Sequence, residues 1–343
     1  MLALAARNLP DAEESEELHR KYYERSPLGP PVFFLAREAS SNAFVGMAAL
    51  FPTSLRISGD LVPAAITGDF AIDIGHRAFG PAIPLQRACL SALAENGFRC
   101  AYGSPNPLAE SIIDRVGYVD VGRRTRFVKV LRGQIVVDTY VRRRKLARLA
   151  SASSAIAIDP LLPLLSRERL YRRRTSFSVE EPQRFDDRFF DLWRVGWREH
   201  EITNERNADL LNWKYEMSGD ERGGRKFATL ALIEGGQRVA GYIVYRVRNN
   251  VRHILDVLSF PCREVVDALL AEFILDARRH GASAISVLYF GPGNLLTARL
   301  RAFGFIPSPN ERGLRVHVEQ GVRFPRDLRD SSNWYFLPGD EDV

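Results

Sequence analysis

Cysteine is scarce: Cys89, Cys100 and Cys262 are the only three, and no two of them stand at C-x-x-C spacing. That excludes a disulfide framework and gives no cysteine set for zinc. The six histidines include no H-E-x-x-H pair and no two at i, i+4 spacing, so no metal site is expected. There is no G-x-S-x-G elbow and no G-x-x-x-x-G-K-[ST] loop, which leaves no hydrolase or P-loop signature. Long apolar runs are missing too. The stretch from Leu149 to Leu165 is broken by Asp159, Pro160 and Pro163, too short and interrupted for a membrane-spanning helix. Met1 to Ala6 carries no basic residue, and acids at 11, 13, 14, 16 and 17 follow, so no secretory signal is expected and the cytoplasm is the expected location.

What is present is an ordinary globular composition, 45% hydrophobic and 26% charged, over 343 residues. At roughly 150 residues per domain that suggests two domains. Charge is unevenly placed. Between Val121 and Thr175 there are 15 Lys and Arg against 3 Asp and Glu, a local +12 in a chain of net +6. Such a run is either a solvated linker face or a basic surface for an anionic partner: a phosphate-bearing cofactor, an acidic carrier protein or an anionic lipid surface. Nucleic acid is not expected, because the run has no binding motif and no interleaved aromatics.

Hydrophobic patterning gives the same order of elements twice. In the first third it reads helix (Asp11–Tyr23), strands (Val32–Ala36, Phe44–Leu50, Leu55–Ser58, Leu61–Ile66, Phe70–Ile74), helix from Pro84, strand Arg99–Tyr102, helix Leu108–Arg115 and a strand near Arg126–Leu131. From Phe227 the pattern returns, with strands to Phe260, a helix Val265–Arg279, a strand Ala284–Phe290 and a helix Leu295–Ala302. Val45-Gly46 matches Ala240-Gly241, and Gly117 matches Gly304, at offsets of 195 and 187, which argues for an internal duplication. The expected domains are 1–132, a basic and partly helical linker 133–180, and 181–343.

The window Gly68 to Ala82, GDFAIDIGHRAFGPA, carries the most chemistry. A strand runs into a short loop with Arg77 and Gly80, then into a helix. Backbone N–H groups there converge where a helix dipole favours an anion, which makes a cradle for pyrophosphate. Arg77, Gly80 and Ala82 stand at the spacing R-x-x-G-x-A, and Asn106, Ala109, Gly117 and Tyr118 follow at the spacing of N-x-x-A…G-F. In these motifs and in strand order, residues 11–132 resemble the GNAT superfamily of N-acyltransferases.

The resemblance implies two tandem α/β (α+β) domains, each a mixed, mostly antiparallel sheet flanked by helices. It also implies an acyl-coenzyme A donor, acetyl-CoA or a longer acyl-CoA, and a small-molecule amine acceptor such as an amino sugar or polysaccharide precursor. Backbone groups of Phe70, Ala71 and Ile72 would bond the pantetheine arm. The loop of Arg77, Ala78, Phe79, Gly80, Pro81 and Ala82 would hold the pyrophosphate, and Asn106 would touch the pantetheine or the cleft lip. Direct transfer needs a base. Asp69 and Asp73, four residues apart and so expected on one strand face, are the candidates, with His76 as an alternative. The family's tyrosine is replaced by Ile113, so Tyr102 becomes the candidate acid. The second half has Pro261-Cys262-Arg263 where the loop should be, a copy without the coenzyme cradle. Trp213-Lys214-Tyr215 and Trp334-Tyr335-Phe336 are either packing anchors or the wall of an acceptor pocket. A non-catalytic scaffold, or acyl transfer from a carrier protein docked on the basic linker, are the other readings.

Overall fold

The computed structural model describes residues 23–132, 177–215 and 227–341, together with Leu4, Asn8 and Glu168. The helix expected over 11–23, up to its last residue, and nearly all of the arginine-rich stretch 133–176 lie outside the described residues. In the first half the elements are β1 (Val32–Arg37), β2 (Phe44–Ile57), β3 (Asp60–Ile72), α1 (Ala82–Ser91), β4 (Cys100–Gly103), α2 (Pro107–Arg115) and β5 (Val119–Val130). Then come β6 (Phe177–Glu180), α3 (Asp187–Gly196), β7 (Ile202–Asn204), α4 (Ala208–Lys214), β8 (Ala228–Glu234) and β9 (Arg238–Arg248). The series closes with β10 (Val251–Ser259), α5 (Arg263–Arg279), β11 (Ala284–Tyr289), α6 (Leu295–Ala302) and β12 (Ile306–Val318).

Turn chemistry decides where strands stop. Ser58 and Gly59 both sit at positive φ, 50° and 96°, the two-residue geometry that matches strand twist. The turn thus falls one residue before the expected Gly59-Asp60, and Asp60 opens β3. What reads as four short strands around it is one long hairpin, β2 against β3. Asn249-Asn250, at φ 51° and 60°, closes the β9–β10 hairpin in the same way.

The residues form two compact units. The first holds 1–124, 200–205 and 310–343, and the second holds 125–199 and 206–309. In the first unit the strand order is β1-β2-β3-β4-β12, with β7 on β2. Only β3–β4 is parallel there; β1–β2, β2–β3 and β4–β12 are antiparallel. The second unit runs β5-β11-β10-β9-β8-β6, with β10–β11 its one parallel pair. Each is the expected mixed, mostly antiparallel sheet flanked by helices. One feature departs from the sequence reading. The closing strands are exchanged: β12, from the end of the chain, pairs with β4 in the first unit, while residues 125–130 of β5 pair with β11 in the second. The compact units therefore take different residues from the ranges 1–132 and 181–343, which follow the order of elements along the chain. Alternating side chains specify which face a strand buries but not which edge it joins.

Packing follows the amphipathic stripes. In the first unit Leu85, Cys89 and Leu90 of α1 and Ile113 of α2 bury against Ala48, Leu50, Ala65, Ile72 and Ala101 of the sheet. In the second, α3 buries Phe189, Leu192, Trp193 and Gly196. Phe189, Leu192 and Trp193 pack on Tyr242, Val244, Leu255 and Leu258, while the opposite face meets α5, with Phe273 edge-on to Tyr245.

Candidate active site

The two parallel strands of the first unit part company early. β3 pairs with β4 only from Ala64 to Ile66, opposite Cys100 to Tyr102, yet β3 runs on to Ile72. The hydroxyl of Thr67 donates to the Tyr102 carbonyl at 3.2 Å and marks the fork. Past it, Gly68 to Ile72 are held by β2 on one side, and the other edge opens from β4. A bulge lies inside this open stretch. Ala49 faces Gly68 and Met47 faces Ala71, so Asp69 and Phe70 together oppose Ala48. Asp69 takes a left-handed φ of 49°, a strained backbone for a residue with a side chain. Its carboxylate accepts a short hydrogen bond from the Tyr23 hydroxyl. Tyr23 in turn lies 5.2 Å and 5.7 Å, between ring centroids, from Phe33 and Phe51. Nothing in the sequence alone points to Tyr23, since its contact with Asp69 spans 46 residues.

The bulge changes the expected pairing of carboxylates. Strand alternation is interrupted at Asp69, and Asp73 lies beyond the end of β3. Asp73 caps the 3₁₀ turn Ile74–Phe79 by accepting the Gly75 N–H, and its own N–H donates to the Val45 carbonyl. It is a capping residue of that turn, not a second base on the face of Asp69. His76 meets Glu38 at 3.2 Å on the same turn.

The loop then delivers the chain to α1. Gly80 ends the 3₁₀ turn at φ 77°, a conformation glycine adopts without strain. A side chain built there would meet nothing within 4 Å. Arg77 donates from Nε to the Ile72 carbonyl at 3.1 Å, tying the loop to the end of β3. The helix begins at Ala82, two residues before the expected Pro84, with Pro81 at its N-cap and no side chain capping it. Its first-turn N–H groups are thus left to solvent or a ligand, although Pro84 removes one donor and Pro81 another. Asn106 is the N-cap of α2 and accepts the Ala109 N–H at 3.0 Å, which explains the N-x-x-A spacing as a helix-start device.

Tyr102 is a correction. It is 1% exposed, and its hydroxyl bonds Asn204 and the Asp340 carbonyl. Its ring lies edge-on to Trp334 and Phe336, with centroids 5.9 and 5.8 Å away. Burial drives its pKa far above the ordinary tyrosine value. A phenol sealed in this way is a structural anchor and cannot serve as the acid. Trp334 and Phe336, both 1% exposed, are likewise packing anchors and no pocket wall. Ile113 is buried in the apolar core.

The second unit repeats the fork without the loop. β10 pairs with β11 only from Val251 to Ile254 and continues to Ser259. Gly46 faces Ile72 in one unit and Gly241 faces Ser259 in the other. Counting three residues back from each partner places Asp69 and Asp256 at equivalent positions. There the likeness ends. Asp256 is buried and paired with buried Arg206, Nε to Oδ1 3.0 Å, with the Tyr242 hydroxyl at 3.5 Å. Three residues link β10 to α5 where nine link β3 to α1. Arg263 reaches toward Asp267, on its own helix, at 3.7 Å.

Solved structures share the fold that carries this fork. A GCN5-related N-acetyltransferase from Anabaena variabilis ATCC 29413 superposes with a TM-score of 0.63 at 12% identity, over 93% of this chain and 69% of that one. The fold is that of the GCN5-related N-acetyltransferases. A probable N-acyltransferase from Enterococcus faecalis V583 gives 0.62 at 13% identity, with the same 93% and 69% coverage. Saccharomyces cerevisiae N-myristoyltransferase, solved with bound myristoyl-CoA, gives 0.61 at 11% identity over 99% of this chain and 81% of that one. No family model and no curated protein matches the sequence. This GNAT fold contains, among the described residues, no cluster of His, Cys, Asp and Glu suited to a metal ion and no helix long and apolar enough to cross a membrane.

Proposed function

We propose that the chain is an acyl-coenzyme A-dependent N-acyltransferase, with its one coenzyme site in the first unit. The observation that carries this is the open edge of β3 past Ile66, ending in a glycine turn and an uncapped helix. Backbone groups of Phe70, Ala71 and Ile72 would extend hydrogen bonds to the amide-rich pantetheine arm. The N–H groups of Gly80, Ala82 and Ile83, with the helix dipole, would meet the pyrophosphate, and the Arg77 guanidinium adds charge beside it. Ala78 and Phe79 contribute backbone to the same turn, and Pro81 fixes its exit.

The chemistry asked of the residues is modest. The acceptor amine must pass a proton to the base, its lone pair must attack the thioester carbonyl carbon, and the C–S bond must break as the thiolate leaves and takes a proton from solvent. Asp69 is the base, held by Tyr23. Asn106 lies at the start of α2, after the strand that forms the far side of the fork. Acetyl transfer to a small amine, such as an amino sugar, is the form of the reaction we favour. A non-catalytic scaffold is the second reading, favoured by Ile113 at the place of the family's tyrosine and by the burial of Tyr102, which removes the one candidate acid.

Calorimetry with acetyl-CoA and a longer acyl-CoA separates them, and two variants locate the site. Gly80→Asp sets a carboxylate where phosphates would lie, and like-charge repulsion should weaken binding roughly a hundredfold. Arg263→Ala in the second unit should leave affinity within about twofold. Absence of heat with every thioester would favour the scaffold. Binding lost in Arg263→Ala and kept in Gly80→Asp would put the site in the wrong unit.

A further inference from the structure

A row of side chains crosses the second unit's sheet on the face that carries α3. Arg246 on β9 stands opposite His253 on β10, and His253 stands opposite Ser286 on β11. Arg126, on the neighbouring β5, donates from Nη1 to the Ser286 hydroxyl at 3.2 Å. The face is fixed by alternation, since Val244, two residues before Arg246, packs in the α3 core. Arg248 stands at the end of the same strand, and it joins Arg246 and Arg126 in acting on His253.

The buried arginines of this unit are matched. Arg252 meets Asp276 at 2.6 Å, Arg206 meets Asp256, and Arg299 meets Asp267. The row is different. Among the described residues Arg246, Arg248, Arg126 and His253 face no carboxylate, and the Nε of Arg246 is buried without a hydrogen-bond partner. The charged groups acting on His253 are all cations. Asp256, the nearest acid along β10, is already taken by Arg206. Cations gathered on a half-buried face with donors left over have the makeup of an anion site. A hydroxyl donor in Ser286 and guanidinium forks in Arg246 and Arg126 suit the oxygens of a carboxylate or phosphate.

We infer that Arg246, His253, Ser286 and Arg126 form an oxyanion site for the carboxylate or phosphate group of a small-molecule ligand. The site itself can be tested without any turnover.

The measurement is a pH titration of the histidine ring resonances in the full chain, with His253 assigned through His253→Gln. It is run with inorganic phosphate, with acetate and with coenzyme A as separate additions. Phosphate or acetate should raise the midpoint of His253 alone, by about half a unit or more, because a bound anion favours the charged ring. Whichever of the two acts at lower concentration names the acid group. Arg246→Gln combined with Arg126→Gln should weaken that response roughly tenfold or more. The inference is overturned if neither anion moves His253 in the unsubstituted chain, or if the double variant responds undiminished. A shift of His253 by coenzyme A that phosphate competes away would overturn a site distinct from that of the coenzyme. Failure of acyl transfer with a positive His253 response would sink the acyltransferase reading and leave the anion site standing.

Discussion

At the scale of single residues, Asp69 and Tyr102 look alike in the sequence, polar groups on neighbouring strands, and the fold treats them in opposite ways. Asp69 sits partly exposed on a bulge with a left-handed backbone, whereas Tyr102 is sealed beneath the C-terminal aromatics. Their substitutions should part accordingly. Asp69→Asn is expected to lower kcat by roughly 10²–10⁴ with coenzyme affinity unchanged, the range for loss of a general base. Tyr102→Phe is expected to leave kcat alone and cost about 1–2 kcal/mol, since Asn204 and the Asp340 carbonyl lose a partner. Steady-state kinetics and chemical denaturation of both proteins check this. A fall in kcat for Tyr102→Phe at full stability would restore the acid role.

At the scale of elements, much of the architecture was legible because local chemistry sets it. The helices expected at 108–115 and 295–302 are α2 and α6, where the structure adds Asn106 and Asn294 as side-chain caps, and the amphipathic stripe of α5 is plain in the sequence. The bulge was not legible, because residue alternation around Asp69 reads as an ordinary strand. Nor was the row Arg246–His253–Ser286–Arg126, which four strands assemble across gaps of up to 160 residues. That row carries a pH signature. Burial first, then Arg246, Arg126 and Arg248, hold the pKa of His253 below its ordinary 6.5. The unfolded chain therefore binds the proton more readily than the folded one, so stability rises with pH across this window. It should be complete above about pH 6.5 and decline as pH falls from there toward the lower folded value. Urea denaturation between pH 5 and 8 should show this slope, and His253→Gln should flatten it. An identical slope in the variant would assign the effect to other groups.

At the scale of the whole molecule, the exchanged strands were invisible to pattern reading. The sequence describes β5 and β12 correctly as strands and says nothing of whose edge each one completes. The first unit needs residues 310–343 as well as 1–124. A fragment of residues 1–132, expressed alone, should be insoluble or molten, since the edge of β4 then lacks β12. Supplying residues 133–343 as a second polypeptide should restore a soluble complex, read by size-exclusion chromatography. A monomeric, cooperatively unfolding 1–132 fragment would contradict this.

The same exchange bears on how the protein is made. Cys100 leaves the ribosome 218 residues before its partner Val318. At roughly 5–20 residues per second, β4 waits about 10–40 seconds with one edge open. During synthesis the first unit is thus a nearly finished sheet held open for its last strand. Any chaperone that this protein needs should act in that interval, on that edge.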